Sequence, residues 1–414
     1  MRETTNDRWS RVAAASGLLG DDGTPKPTIF AEMSALALRT DAANLGQGFP
    51  DEDGPEWIRR AAAEAILAGI NQYPPGRGIP ELRAAILHHQ RTHYGIELDP
   101  DTEVLVTTGA TEALASALLA LTGPGDEVVT LEPFYDSHAA CIAMAGAEHV
   151  TVPLVPQNGR FRLDLDALSA AVGPKTRVIL VNTPHNPTGT VLTRNELEAL
   201  AAAARRADAL VITDEVYEHL CFDGAEHIPI AALPGMRERT ITISSSGKTF
   251  SLTGWKIGWA TGPAPLIGAL TSVKQFLTFT SGAPFQPAIA SALASPEGIA
   301  AIAELRDSLA ARRELLIDGL QAAGFSTVRP DGTYFVCADA SPFLSTTVPD
   351  GAAFARWLPE HAGVACVPLT AFCKQASPTA EALSSWVRFT FVKREDTLRT
   401  AIDRLGALAQ TASV

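Results

Sequence analysis

The sequence predicts an α/β protein: a mostly parallel seven-stranded sheet covered by helices, with a smaller α/β domain beside it. Three observations carry this reading. Short β-rich runs recur at VLVTT (104–108), EVVTL (127–131), HVTVP (149–153), RVILVN (177–182), LVITD (210–214), RTITIS (239–244) and IGWAT (257–261). Stretches with helical patterning, such as TEALASALLAL, RNELEALAAAARRA and APLIGALTSVKQFL, separate most of them. The runs are near-continuously apolar rather than alternating, as strands buried on both faces are.

The 414 residues exceed what one hydrophobic core serves, so two domains are expected. Residues 1–27 form a polar arm carrying Gly, Pro and Thr, expected to be poorly ordered. A short helix, IFAEMSALALR, then leads into the loop NLGQGFPDEDGP, and two further helices flank NQYPPGRGIP. The strand series lies in a large domain spanning 51–290. A long helix at about 297–323, ending at Gly324, introduces strands near 333–338 and 386–392. Residues 28–50 together with 291–414 make the small domain.

Composition excludes several classes. The chain is 46% hydrophobic and 19% charged, which is globular rather than disordered. A net charge of −13 argues against nucleic acid and anionic membranes as partners. The N-terminal stretch lacks a signal-peptide apolar region, and no segment reaches the ~18 apolar residues of a spanning helix. A cytoplasmic location is expected. The five cysteines are odd in number and include no CxxC, so they read as reduced thiols. Cys366, Cys373 and His361 lack the tight pairing of zinc ligands, and no metal site is expected.

Ligands of such sheets sit beyond the carboxyl ends of the strands, so polar residues there are the candidates for chemistry. Lys248, one of seven lysines, follows RTITIS within ISSSGKTFSLTGWKIGW, and small neighbours leave room beside it. A lysine so placed can condense with an aldehyde and later shuttle a proton. Asp214 ends LVITD, where a carboxylate could keep a pyridine nitrogen protonated. Together these point to pyridoxal 5'-phosphate as cofactor. Tyr217, three residues on, and Asn186, after RVILVN, can donate to its phenolate oxygen. Gly109, Ala110 and Thr111 open a helix whose N-terminal N–H groups suit the phosphate. Ser245 adds a hydroxyl and Lys256 a cation, and Phe134 is a candidate to stack on the ring.

The order GATEA, EPFYD, NTPHNPTG, DEVY, SSSGKTFSLTGWKIGW and VRFTF closely resembles the fold type I, class I/II aminotransferases. The resemblance runs from about residue 28 to 410. It implies that Lys248 bonds the cofactor, Asp214 partners the ring nitrogen, and Asn186 and Tyr217 serve the phenolate. Ala110, Thr111, Ser245 and Lys256 would hold the phosphate, with Phe134 on the ring. Arg388 would clamp a substrate α-carboxylate, with the Gly48 backbone assisting. Tyr73 would reach the phosphate of a neighbouring subunit, giving a homodimer with shared sites. Lys256 departs from the arginine of many members. With LGQGFPD, it is similar to the kynurenine/glutamine/methionine aminotransferase subgroup. FAEMSALA, NLGQGFPDEDGP, NQYPPG and GAPFQPA look like bacterial N-succinyldiaminopimelate aminotransferases, which implies N-succinyl-LL-diaminopimelate and 2-oxoglutarate as substrates.

Two other readings use the same residues. A C–S lyase would share the cofactor shell but expel a β-leaving group. An effector-sensing domain of a transcription regulator would need a DNA-binding module, for which 27 residues are too few. Side-chain recognition is expected from Phe49, Tyr73 and Phe285, and Arg77 is the candidate cation for a distal carboxylate.

Overall fold

The computed structural model describes residues 8–412. All seven expected strands form, and an eighth joins them. The large sheet runs in the order Val104–Thr108, Ile257–Thr261, Thr240–Ser245, Leu210–Asp214, Thr176–Asn182, Glu127–Glu132, Glu148–Gln157, Arg160–Leu163. Ile257–Thr261 lies antiparallel to both neighbours, and the edge strand Arg160–Leu163 is antiparallel to Glu148–Gln157. The others share one direction. The eighth strand escapes a search for apolar runs because RFRL alternates apolar and basic residues, as an edge hairpin does.

The central strand shows why the sheet must be covered twice. Val178, Ile179, Leu180 and Val181 are all buried although successive side chains point to opposite faces. Each such side chain contributes about 1.5–3 kcal/mol by leaving water. The covering helices start and stop on local signals. Thr193 and Glu196 close a reciprocal capping box on Arg194–Ala207. Ser295 caps Pro296–Ala322, the long helix expected at 297–323, with proline at its first position.

A second, antiparallel sheet orders Ser326–Val328, Phe335–Asp339, Trp386–Thr390 and Val367–Pro368. Ala43–Asn44 pairs in parallel with Val364–Ala365. That pairing joins the segment before the large sheet to the C-terminal part of the chain. The 1–27 arm differs from expectation where it is described: Arg8–Ala15 is a helix, and Leu19 bridges Pro25. Residues 1–7 of that arm lie outside the described residues. Among the described residues no single helix is long and apolar enough to cross a membrane.

Candidate active site

Strand ends of the large sheet and elements of the small one enclose a cavity of about 410 Å³. Its walls include Gly48, Gly109, Ala110, Thr111, Asn186, Asp214, Tyr217, Ser245, Lys248, Lys256 and Arg388. Eleven residues expected from separate motifs thus converge on one space. Tyr73 and Phe134 do not line it.

The floor is built by the strand ends. Asp214 is held from three sides: its carbonyl accepts from Asn182 Nδ2 at 2.8 Å, Oδ1 accepts from the Val216 N–H at 3.3 Å, and His138 Nε2 lies 3.4 Å from Oδ2. Asn182 Oδ1 also accepts the Asn186 N–H at 2.7 Å, so one amide ties two candidate residues together. Lys248 sits in the short helix Ser246–Thr249, its Nζ 5.8 Å from the Tyr217 ring centre and 5.6 Å from that of Tyr334. Burial, reinforced by neighbouring Tyr334, holds the Tyr217 hydroxyl well above the ordinary phenol range, so it remains a donor.

At one end of the cavity, the helix Gly109–Leu121 points its N-terminus inward. Gly109 has φ +72°, and a Cβ there would stand 3.0 Å from Lys256 Nζ. Glycine is required both for the backbone turn and for the cradle a side chain would fill. Lys256 itself adopts φ +54°, uncommon for a non-glycine residue. Burial and, secondarily, Lys248 lower its pKa. An ammonium, a hydroxyl from Ser245 and N–H groups without intrahelical partners make an anion cradle.

At the other end, Arg388 on Trp386–Thr390 is fully buried. Its Nη1 donates to Asn186 Oδ1 at 2.8 Å and its Nη2 to the Gly46 carbonyl at 2.9 Å. The guanidinium lies 3.9 Å from the Phe335 ring centre, 4.7 Å from Phe372 and 5.5 Å from Phe30. Burial lowers its pKa to about 10, so it stays charged at neutral pH. Nε is buried without a hydrogen-bond partner. Two of five N–H groups are used, which leaves a fork for a carboxylate. Gly48 lies close by, where a Cβ would meet Phe335 Cζ at 2.7 Å.

Three expectations are corrected. Phe134 packs edge-on against His149 at 4.8 Å, and the cavity wall at this turn is Tyr135. Tyr135 is extended, and successive side chains there point opposite ways. Phe285 stacks on Trp255 at 4.7 Å instead of lining the cavity. Arg77 does not line the cavity; its Nη1 donates to the carbonyls of Asp101 and Thr102, each at 3.2 Å. Phe49 does line the cavity. Tyr73 is 80% exposed, its ring edge-on to Phe279 at 5.3 Å. His138, Asn182 and Tyr135 were missed. His138 and Tyr135 lie within three residues of EPFYD, and Asn182 ends a predicted strand, so the strand-end rule could have found all three.

The Aminotransferase class I and II family model matches residues 40–405. The probable N-succinyldiaminopimelate aminotransferase of Mycobacterium tuberculosis is 56% identical over 387 residues, covering 92% of this chain and 96% of the relative. The methionine aminotransferase of Escherichia coli is 40% identical over 382 residues, with 92% and 96% covered. The solved structure of the Mycobacterium tuberculosis N-succinyldiaminopimelate aminotransferase superposes with a TM-score of 0.88 at 55% identity, covering 92% of this chain and 97% of that one.

Proposed function

We infer the function from one premise: the chain belongs to the class I and II aminotransferase family. It is an aminotransferase, and we propose that pyridoxal 5'-phosphate occupies the 410 Å³ cavity bonded to Lys248. The observation that carries this is the convergence of an amine, a carboxylate, a phenol, a helix N-terminus and a buried guanidinium on one space. When bound, the cofactor supplies a ring that accepts carbanion charge from the substrate α-carbon.

Each residue then has a task. Asp214, backed by His138, holds a proton on the ring nitrogen. Tyr217 donates to the phenolate. Asn186 spends its Oδ1 on Arg388, which leaves its Nδ2 to donate to the same oxygen. Gly109, Ala110, Thr111, Ser245 and Lys256 hold the phosphate, and Tyr135 covers the ring. Arg388 clamps the α-carboxylate by its remaining N–H groups, with Gly48 beside it. That clamp would orient the α-hydrogen toward Lys248, whose amine would remove and return the α-proton.

We propose N-succinyl-LL-diaminopimelate as amino donor and 2-oxoglutarate as acceptor, which places the enzyme in lysine and diaminopimelate biosynthesis. The support is the 56% identity to the Mycobacterium tuberculosis protein, against 40% to the methionine aminotransferase. In a donor panel with 2-oxoglutarate, the succinylated donor is expected to give the highest kcat/KM. A higher value for methionine or kynurenine would move the assignment to the broader subgroup.

We also propose a homodimer with composite sites. Tyr73 lies outside the cavity, beside Phe279, in a region where Phe276 is 88% and Leu277 48% exposed. Such an apolar patch suits an isologous interface. Mixing inactive Lys248→Ala with an inactive Tyr73→Ala protein is expected to restore one working site per hybrid. Hybrids that assemble without regaining activity would refute the sharing.

A further inference from the structure

Behind the turn that carries Tyr217, and outside the cavity, three imidazoles meet. His89 and His93 are four residues apart on the helix Pro80–Tyr94, so they share a face. His219 approaches from the turn after Leu210–Asp214. The ring centres are separated by 4.7 Å for His89–His93 and by 4.9 Å for each of the other two pairs. Their ligand nitrogens all lie within 4.8 Å of one another. Among the described residues no other group of three His, Cys, Asp or Glu side chains comes together in this way.

We propose that His89, His93 and His219 form a binding site for a divalent transition cation of zinc type, with water as fourth ligand. Imidazole suits zinc, copper and nickel, and three protein nitrogens with one open position is an established zinc geometry. Tetrahedral nitrogens at 2.0–2.1 Å from zinc stand roughly 3.3 Å apart. His89 Nε2 and His219 Nε2 are now 2.7 Å apart, so binding requires that pair to open by about 0.6 Å. The exposed His93 closes in by a rotamer adjustment.

The surroundings agree with a cation. Gln90 Oε1 is buried without a hydrogen-bond partner while its Nε2 lies 3.4 Å from His89 Nδ1, so turning that amide over lets Oε1 accept the Nδ1–H and leaves His89 Nε2 to the metal. Glu218, adjacent to His219, is oriented by the Tyr94 hydroxyl at 2.7 Å and by Ser244, and supplies nearby negative charge. His93 occupies the last helical turn, where the carbonyl end of the helix favours positive charge. Occupancy would pin the helix Pro80–Tyr94 to the turn two residues beyond Tyr217, making the site a structural clasp.

The test is calorimetric titration of the chelator-treated holoenzyme with zinc chloride, followed by thermal melting with and without zinc. One zinc per chain and a zinc-dependent rise in Tm are expected. His93→Ala, at an exposed position, should keep its fold and transaminase activity. It should bind zinc more weakly by more than the roughly 10–100-fold that loss of an outer partner costs. His361→Ala, remote from the cluster, should bind like the parent. Cobalt substitution of the parent gives a readout independent of any variant: intense visible d–d bands of a four-coordinate ion. Absence of those bands, no zinc uptake by the parent, or equal affinity in His93→Ala each overturns the site.

Discussion

Lys248→Ala is expected to lower transamination by about 10⁴-fold or more, since it removes both the covalent anchor and the group that moves the α-proton. The scale follows from geometry. Lys248 is the lysine whose Nζ lies 5.8 Å and 5.6 Å from the ring centres of Tyr217 and Tyr334, while Lys256 faces the helix N-terminus at Gly109. Lys256 cannot substitute, because its amine lies at the anion cradle. The alanine variant should fold like the parent, because Lys248 is only partly buried and Thr249 and Ser246 make the hydrogen bonds of that turn. Single-turnover kinetics with a preloaded amino donor check the chemical step directly. A loss below tenfold would assign the proton transfer elsewhere.

Replacement of Arg388 has the next largest expected effect. Two ionic hydrogen bonds to a carboxylate are worth about 1.5–3 kcal/mol each, so kcat/KM should fall roughly 10²–10⁴-fold in Arg388→Ala. The residue is fully buried and packs 3.9 Å from Phe335, so alanine also leaves a hole and frees Asn186. Arg388→Lys separates these contributions, because it keeps charge and most volume but loses the fork. Lysine should recover part of kcat/KM, mainly through KM, for both the amino and the oxo substrate. The cofactor absorption should persist in both variants, since no phosphate or ring contact is assigned to Arg388. Loss of cofactor from Arg388→Lys would mean that the arginine acts through Asn186 instead.

Much of this site was legible because the chain repeats one rule. A run of buried apolar residues ends, and the next residue or two carries chemistry, as at Thr108–Gly109, Asp214 and Ser245. The rule places a backbone segment but leaves open which of two adjacent side chains turns inward. Phe134 and Tyr135 were confused for that reason. Arg77 was misplaced because a loop arginine is equally served by carbonyls, and Asp101 and Thr102 supply them. Arg160–Leu163 was overlooked because edge strands lack the apolar continuity of central ones. The imidazole cluster needed three dimensions: HHQRTH shows two ligands on one helix face, but His219 is 126 residues further on from His93 and arrives only through the fold.

Borohydride reduction of the holoenzyme, followed by peptide mapping, tests the central claim most directly. The cofactor should be recovered covalently on the peptide containing Lys248 and on none of the other six lysines. Label on Lys256 or any other lysine, or no label on a yellow and active enzyme, would contradict it.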